Sequence, residues 1–263
     1  MRHPRNDAGL PEIAGDAVLI AGGARAILLQ LADPAVGRGV ARHSDFEDRV
    51  LDRLWATLAY VYAIVYGDHG EREKAVRSVN RAHAPVMGPA DGGAPAYSAF
   101  DPQLQLWVAA TLYDTAVVVL ERTFGPLTDA AADALYLRYA ELGAALQMPS
   151  ELWPADRMAF DAYWQQRVGE LVVGDEVRAL SRRLLFPSTL PAYLMVAMPV
   201  ARLITAGLLP SRVRALYRVR WNVGAESRVR GILRVTGLVW PLLPRPVRQW
   251  PKNRSLRSLH AAP

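Results

Sequence analysis

The spacing of apolar side chains is the property that most limits how this chain can fold. Apolar residues recur three or four positions apart along most of its 263 residues, and the period-two alternation that marks strands is missing. One such stripe ends at Gly67, which terminates its helix. The stripe consists of Phe46, Val50, Leu54, Leu58, Val61 and Val65. This periodicity predicts an all-α fold, a bundle of many helices.

Local start and stop signals predict the helix boundaries. A first helix over 16–32 is expected to end at the Asp-Pro pair at 33–34, and a Ser-x-x-Glu capping box at 44–47 predicts the next start. A second Asp-Pro pair, at 101–102, predicts the start of a helix over 103–124. That helix is apolar nearly all round and is expected at the centre of the bundle. Further helices are predicted over 71 to about 85, 128–146, 155–172, 174–186 and 191–208.

The composition excludes several classes of protein. With 51% apolar residues the chain can bury a sizeable core. It has no cysteine, which rules out disulfides, Fe–S clusters, thiolate-bound or covalently attached haem, and cysteine-based zinc sites. The sequence motifs of serine hydrolases, P-loop and dinucleotide-binding proteins, and zinc proteases are missing. No Glu-x-x-His occurs, which disfavours a ferritin-like di-iron bundle.

Charge divides the chain into two parts. Residues 1–210 carry nineteen basic and twenty-four acidic side chains, whereas 211–263 carry twelve basic ones and the single acid Glu226. We therefore expect one all-helical domain over 1–210 and a basic, Arg/Pro-rich helical extension over 211–263 packed on it. The arginines of the extension, with Trp221, Trp240 and Trp250 as interfacial anchors, suit contact with an anionic membrane surface. The alternative is that they pair with the acidic domain. Nucleic acid is not expected, because no recognition motif accompanies the charge.

The apolar stretches are interpreted as core helices, not as membrane spans. The stretch over 104–120 contains Asp114, and the stretch over 190–210 contains Arg202 and two prolines. Asp7 and Pro11 are among the residues that interrupt the N-terminal segment, so no signal peptide is predicted. The expected location is the cytoplasm, with contact at a membrane periphery through the basic extension.

His83 is the first candidate for chemistry. It occupies a position in an apolar stripe with Val79 and Val86, and a buried imidazole needs a partner for each nitrogen. Haem iron could bind Nε2 while Nδ1–H donates to a carbonyl left free by Pro85. Taken by spacing alone, a structural histidine hydrogen-bonded to backbone is favoured. Two His–Glu pairs at i,i+4, His43 with Glu47 and His69 with Glu73, are alternative metal half-sites or surface hydrogen bonds.

Arg53 and Thr57 are the second candidate. Four residues apart, they share a helix face that continues with Tyr60 and Ile64, and alanines at 56, 59 and 63 leave room for a ligand. Beside a haem, an arginine and a hydroxyl could orient O2 and stabilise developing negative charge. The alternative is an arginine that pairs with a nearby acid such as Asp52.

Several segments, in order, resemble the bacterial branch of the MpaB-type oxygenases, which share a catalytic domain with rubber oxygenase (latex clearing protein). The matching segments are RHSDF at 42–46, RxxxT at 53–57, YVYAIVYG at 60–67, VNRAHAPVMG at 79–88, YSAFDPQLQLWVAATL at 97–112, LQMPSELWP at 146–154 and RLITAGLLP at 202–210.

The resemblance implies a globin-like helical core that binds haem b without a covalent bond, and cleavage of olefinic bonds in isoprenoid chains with O2. It places the proximal haem ligand, and hence the metal ligand, on His83, and the distal catalytic residues on Arg53 and Thr57. The expected activity is therefore a haem b-dependent oxygenase with an apolar, isoprenoid or lipid-like substrate. The alternative is a haem carrier or sensor without turnover.

This chain departs from the family pattern at several positions. Ala56 stands where rubber oxygenase has a distal lysine, so a lysine-capped closed state is not possible here. Met87-Gly88 replaces an Arg-His pair, and Asp33 and Ala109 stand where many relatives have histidine. Polymer cleavage is therefore not implied, and a different apolar substrate, or none, stays open.

Overall fold

A computed structural model describes residues 15–43, 50–93, 95–187 and 190–261. Within these ranges, the only strands are Met87–Gly88 (β1) and Tyr97–Ser98 (β2), which pair antiparallel. The predicted all-α class is confirmed. The helices are α1 Gly23–Leu31, α2 Pro34–His43, α3 Val50–Tyr66, α4 His69–His83, α5 Pro102–Phe124, α6 Asp129–Ala144, α7 Arg157–Glu170, α8 Asp175–Leu185, α9 Ala192–Leu208, α10 Ser211–Leu216, α11 Val223–Val239, α12 Arg245–Arg248 and α13 Trp250–Ala261, with 3₁₀ turns at Ala17–Gly22, Ser150–Leu152 and Trp240–Leu242.

The predicted boundaries agree closely with the structure except in the first helix, where Ala17–Gly22 is 3₁₀ and the α-helix begins at Gly23, and around α2. There the Asp-Pro pair at 33–34 was expected only to end a helix, but Asp33 also starts the next one. Its Oδ1 accepts hydrogen bonds from the backbone N–H groups of Ala35 (2.9 Å) and Val36 (3.0 Å). Asp101 caps α5 in the same way, accepting from Gln103 N at 2.8 Å. The capping box predicted at 44–47 lies outside the described residues.

The central position predicted for α5 is confirmed. Trp107 and Val119 are fully buried, and α1, α6 and α11 pack around this helix. Of the described helices, α5 alone is straight, long and apolar enough to cross a bilayer, and 61% of its most apolar segment is buried inside the protein. Ala17–Leu31 and Pro34–His43 are together long and apolar enough to cross a bilayer, but the two segments are bent by 105° relative to each other.

The helix α9 corrects the expectation that the apolar stretch over 190–210 is a core helix. Thr205, Gly207 and Leu208 in its C-terminal half are buried as expected. Its first half is largely exposed, with Val196 at 80%. The apolar composition indicated that the stretch is helical, but could not indicate how much of it has a neighbour to pack against.

Residues beyond 210 contribute to the core. Val213 and Val229 are fully buried, and Leu233 is 3% exposed. Contact between α11 and α5 is closest at Gly237, where an added methyl carbon would lie 2.1 Å from the carbonyl oxygen of Thr123. The glycine therefore allows two backbones to approach more closely than any other residue would permit.

Two glycines of α11 provide a matched test of this packing. We expect Gly237→Ala to lower the free energy of unfolding by about 2 kcal/mol, because the methyl group must push α11 away from α5. Gly231→Ala, which meets no atom within 4 Å, should raise it by up to about 1 kcal/mol through helix propensity. Urea denaturation followed by circular dichroism measures both. Equal effects of the two substitutions would contradict the packing described.

Candidate functional site

The helices α3 and α4 form an antiparallel hairpin that carries all three predicted site residues. Asp68 caps α4: its side chain accepts from the backbone N–H of Glu71 at 2.8 Å, and the Glu71 carboxylate accepts from the Asp68 N–H at 2.8 Å. Arg53 precedes the turn by about as many residues as His83 follows it. The hairpin therefore brings both residues to its open end.

The N-terminal half of α3 presents its polar face to solvent. Arg53, Ala56 and Thr57 are exposed, whereas Tyr60 and Ile64, further along the same face, are buried. The Tyr60 hydroxyl donates a hydrogen bond to the backbone carbonyl of Leu142 on α6, which fixes this part of α3 to the core. The predicted face therefore has two parts. Tyr60 and Ile64 are buried and attach α3 to the core, whereas Arg53 and Thr57 are exposed and can donate hydrogen bonds.

His83 lies at the C-terminal end of α4 and is half-buried. Its Nδ1 is buried without a hydrogen-bond partner, so the expected bond from Nδ1–H to a nearby carbonyl is not formed. Asn80, three residues earlier and on the same helix face, has a buried Oδ1 that is also unpaired. Unsatisfied buried polar atoms are costly, and these two lie one helical turn apart on the same face. Asn80 was not predicted from the sequence, although its position three residues before His83 places it on the same helix face.

The electrostatics of the site keep His83 neutral. Burial lowers the pKa of His83 below its ordinary value, and the Arg53 guanidinium lowers the pKa further. At pH 7 the imidazole is therefore uncharged and retains the lone pair that a metal ligand needs.

The helix α13 covers another side of the hairpin. Trp250 packs edge-on against Trp55, with ring centroids 5.6 Å apart, and the Arg254 guanidinium lies 4.9 Å from the Trp55 ring centre. A concavity of about 550 Å³ opens between α3 and α13. Its lining residues are Asp52, Trp55, Arg254, Ser255, Arg257 and Ser258.

The alternative metal half-sites do not assemble into larger sites in the described part of the chain. His43 Nε2 lies 3.0 Å from the Tyr97 hydroxyl, and its predicted partner Glu47 lies outside the described residues. His69 Nε2 lies 3.1 Å from Glu73 on an exposed surface, where Glu73 also binds Arg77. Neither histidine has two further ligating side chains around it among the described residues.

One group of possible metal ligands was not predicted, because His260 is distant in sequence from Asp68 and Glu71. Its Nε2 lies 2.9 Å from Glu71 Oε1, and Asp68 completes a cluster whose ligand atoms lie within 4.8 Å of one another. Both carboxylates already accept the capping hydrogen bonds of α4. Asp68 and Glu71 therefore already have a structural role, which is to cap the N-terminus of α4.

The structure gives local reasons for two departures from the family pattern. A side chain at Gly88 would put a carbon 2.6 Å from the Tyr97 ring, which packs over this residue in the β1–β2 pair. Asp33 is 5% exposed, and besides capping α2 it binds Arg167 Nη2 at 2.7 Å. Both residues serve packing or helix capping at their positions.

Comparison with known proteins adds a second kind of information. The family described as "ER-bound oxygenase mpaB/B'/Rubber oxygenase, catalytic domain" matches residues 12–238. An uncharacterized protein of Mycobacterium bovis is 36% identical over 223 residues, which cover 83% of this chain and 87% of that protein. An uncharacterized protein of Mycobacterium tuberculosis matches with the same identity and coverage. No solved structure shows a significant match.

The influence of Arg53 on His83 can be measured directly. We expect Arg53→Gln to raise the pKa of the His83 imidazole, because the substitution removes one of the two causes that lower it. An NMR titration of the imidazole resonances reports this pKa. The matched control is Arg81→Gln. It removes an exposed arginine of α4, the helix that carries His83, and should leave the pKa of His83 unchanged. If Arg53→Gln leaves the pKa of His83 unchanged, or if both substitutions change it equally, Arg53 does not act on His83.

Proposed function

Because the chain belongs to the mpaB/rubber oxygenase catalytic-domain family, we propose that it is a haem b-dependent oxygenase that acts with O2 on an apolar, isoprenoid or lipid-like substrate. The family itself supports a general oxygenase role. The observation that carries the haem proposal is the neutral His83, whose buried Nδ1 lacks a partner at the open end of the hairpin.

The residues present would suit a histidine that holds a haem iron, together with a residue that orients this histidine. A histidine that binds iron through Nε2 donates its Nδ1–H to an acceptor, which fixes the tautomer and the ring orientation. The unpaired Oδ1 of Asn80 is a candidate acceptor on the same helix face. His83 would therefore hold the haem, with Asn80 as a positioning residue. When bound, the haem would supply the activation of O2.

Arg53 and Thr57 would act on the oxygen side of the site. The guanidinium offers several N–H donors and a permanent positive charge, and the Thr57 hydroxyl adds another donor. Donors held in place can orient O2 and stabilise negative charge as it develops on oxygen. Ala56 lies between Arg53 and Thr57 in the sequence and is exposed. Its methyl group carries no amine that could cover the site, and its small size would leave space for an apolar substrate.

One observation favours the second candidate function, a haem carrier or sensor without turnover. Arg53, Ala56 and Thr57 are exposed side chains, and an oxygenase site is expected to exclude water from the reaction. Product formation distinguishes the two functions, because a carrier or sensor would bind haem without converting any substrate.

The test of the haem site is an absorption spectrum of protein produced with a haem precursor. We expect a Soret band in the wild type, and its loss or displacement in His83→Ala. His43→Ala and His69→Ala are the controls and should keep the wild-type spectrum, because these histidines lie against Tyr97 and Glu73. The absence of a Soret band in the wild type after reconstitution would overturn the proposal.

The roles of Arg53 and Thr57 require an activity measurement. Isoprenoid and lipid substrates are incubated with the haem-loaded protein under O2, and products are identified by mass spectrometry. We expect Arg53→Gln and Thr57→Val to retain the Soret band and to lower kcat by about 100-fold, as removal of one charge-stabilising donor does in other enzymes. Wild-type turnover in both variants would remove them from the mechanism. Haem binding without any product would favour the carrier or sensor.

A further inference from the structure

The first half of α9 is an apolar helical segment that faces solvent. Tyr193 is 74% exposed and Val196 80%, and Met195 and Val200 are also exposed. Phe186, at the end of α8, is also exposed, and the Arg202 guanidinium in the second half of α9 lies 4.3 Å from its ring centre. Soluble monomers rarely expose contiguous apolar surface of this kind, and such patches mark contact sites.

A second exposed apolar surface lies at the C-terminal end of α11. Val229 and Leu233 on the inner side of this helix are buried in the core. The outer side is apolar as well. Its exposed residues, including one from the following 3₁₀ turn, are Val235, Leu238, Val239 and Leu242.

The two apolar surfaces lie at the same end of the bundle. Arg25 on α1 donates to the Leu208 carbonyl, so the middle of α1 lies beside the C-terminal end of α9. The turn Ala17–Gly22, which leads into α1, also packs against α9 and therefore lies nearer the N-terminal half of α9. Asp16, directly before this turn, accepts a hydrogen bond from Trp240 at the end of α11.

Arginines without a carboxylate partner flank these surfaces. Among the described residues, Arg182, Arg230 and Arg234 make no ion pair, and all three are exposed. Arg230 and Arg234 are four residues apart on α11, so their like charges repel each other unless an external anion lies between them. By contrast, Arg248 of the basic extension binds the buried Asp16 at 3.2 Å, as the pairing alternative predicted.

We propose that the first half of α9 and the outer side of α11 with its arginines form a docking face that binds an anionic lipid bilayer. The exposed apolar side chains would enter the boundary between headgroups and acyl chains, and the guanidinium groups would contact lipid phosphates. A second copy of this chain fits less well, because it would bring the same unpaired arginines together. The proposal is independent of haem binding and of turnover.

The experiment is sedimentation of the 263-residue chain with lipid vesicles. We expect binding to vesicles of phosphatidylcholine and phosphatidylglycerol in equal amounts, and much weaker binding to phosphatidylcholine alone. Arg230→Gln combined with Arg234→Gln should lower the partition coefficient by about 30-fold, since each arginine near an anionic surface contributes about fivefold. Val196→Asp should lower it by at least about tenfold, because a carboxylate replaces an inserted apolar group.

Matched substitutions elsewhere on the surface control for general effects. Met158→Asp places the same charge at an apolar side chain of α7 that is 78% exposed. Arg77→Gln with Arg81→Gln removes two exposed arginines at the same spacing on α4. Both controls should bind vesicles like the wild type, and circular dichroism shows whether each variant is folded.

Three results would overturn the proposal. The first is a wild type that does not bind anionic vesicles, and the second is an equal loss of binding in the variants and their controls. The third is a wild-type dimer, detected by light scattering, that Val196→Asp dissociates while vesicle binding is unchanged. That third result would assign the face to a second copy of the chain.

Discussion

A single buried arginine connects the helices on which the rest of the structure is built. Arg25 is 1% exposed, and its guanidinium is bound by the Asp114 carboxylate and by Thr115 Oγ1 at 2.6 Å, while its Nε donates to the Leu208 carbonyl at 2.7 Å. A charge without water needs an opposite charge and hydrogen bonds in its place. Here α5 supplies the carboxylate and the hydroxyl, and the end of α9 supplies the carbonyl. Asp114, which interrupts the apolar run of α5, is therefore the counter-ion of the core.

The proposed site depends on the core through the α3–α4 hairpin. Tyr60 bonds α3 to the Leu142 carbonyl on α6, and the buried side of the hairpin is satisfied there. At the open end, His83 Nδ1 and Asn80 Oδ1 remain unpaired. Within the hairpin, the Tyr60 hydroxyl is satisfied where α3 meets the core, and the two unpaired atoms lie where we propose that the hairpin binds a cofactor. That division is expected of a protein whose functional residues are held by a rigid helical support.

Much of the fold and part of the site could be predicted from the sequence. The spacing of Arg53 and Thr57 was sufficient to place the two on one helix face and His83 on the next helix, since helix geometry is local. The pairing of these helices as a hairpin was not predicted. Asn80 was missed because an asparagine on a helix has no special meaning until its oxygen is known to be buried. The helix α2 was missed although Asp33 precedes a proline as Asp101 does, because an Asp-Pro pair was interpreted only as a stop.

The sequence by itself determined the secondary structure, because periodicity, caps and breakers act within a few residues. It also determined the chemical inventory, with no cysteine, few histidines and a basic C-terminal part. Only the tertiary structure decided which apolar surfaces are covered. The helices α5 and α9 are both apolar, yet neighbours surround α5 and leave the first half of α9 exposed. Exposure and the effect of Arg53 on the pKa of His83 depend on segments that are distant in sequence, which composition and spacing cannot specify.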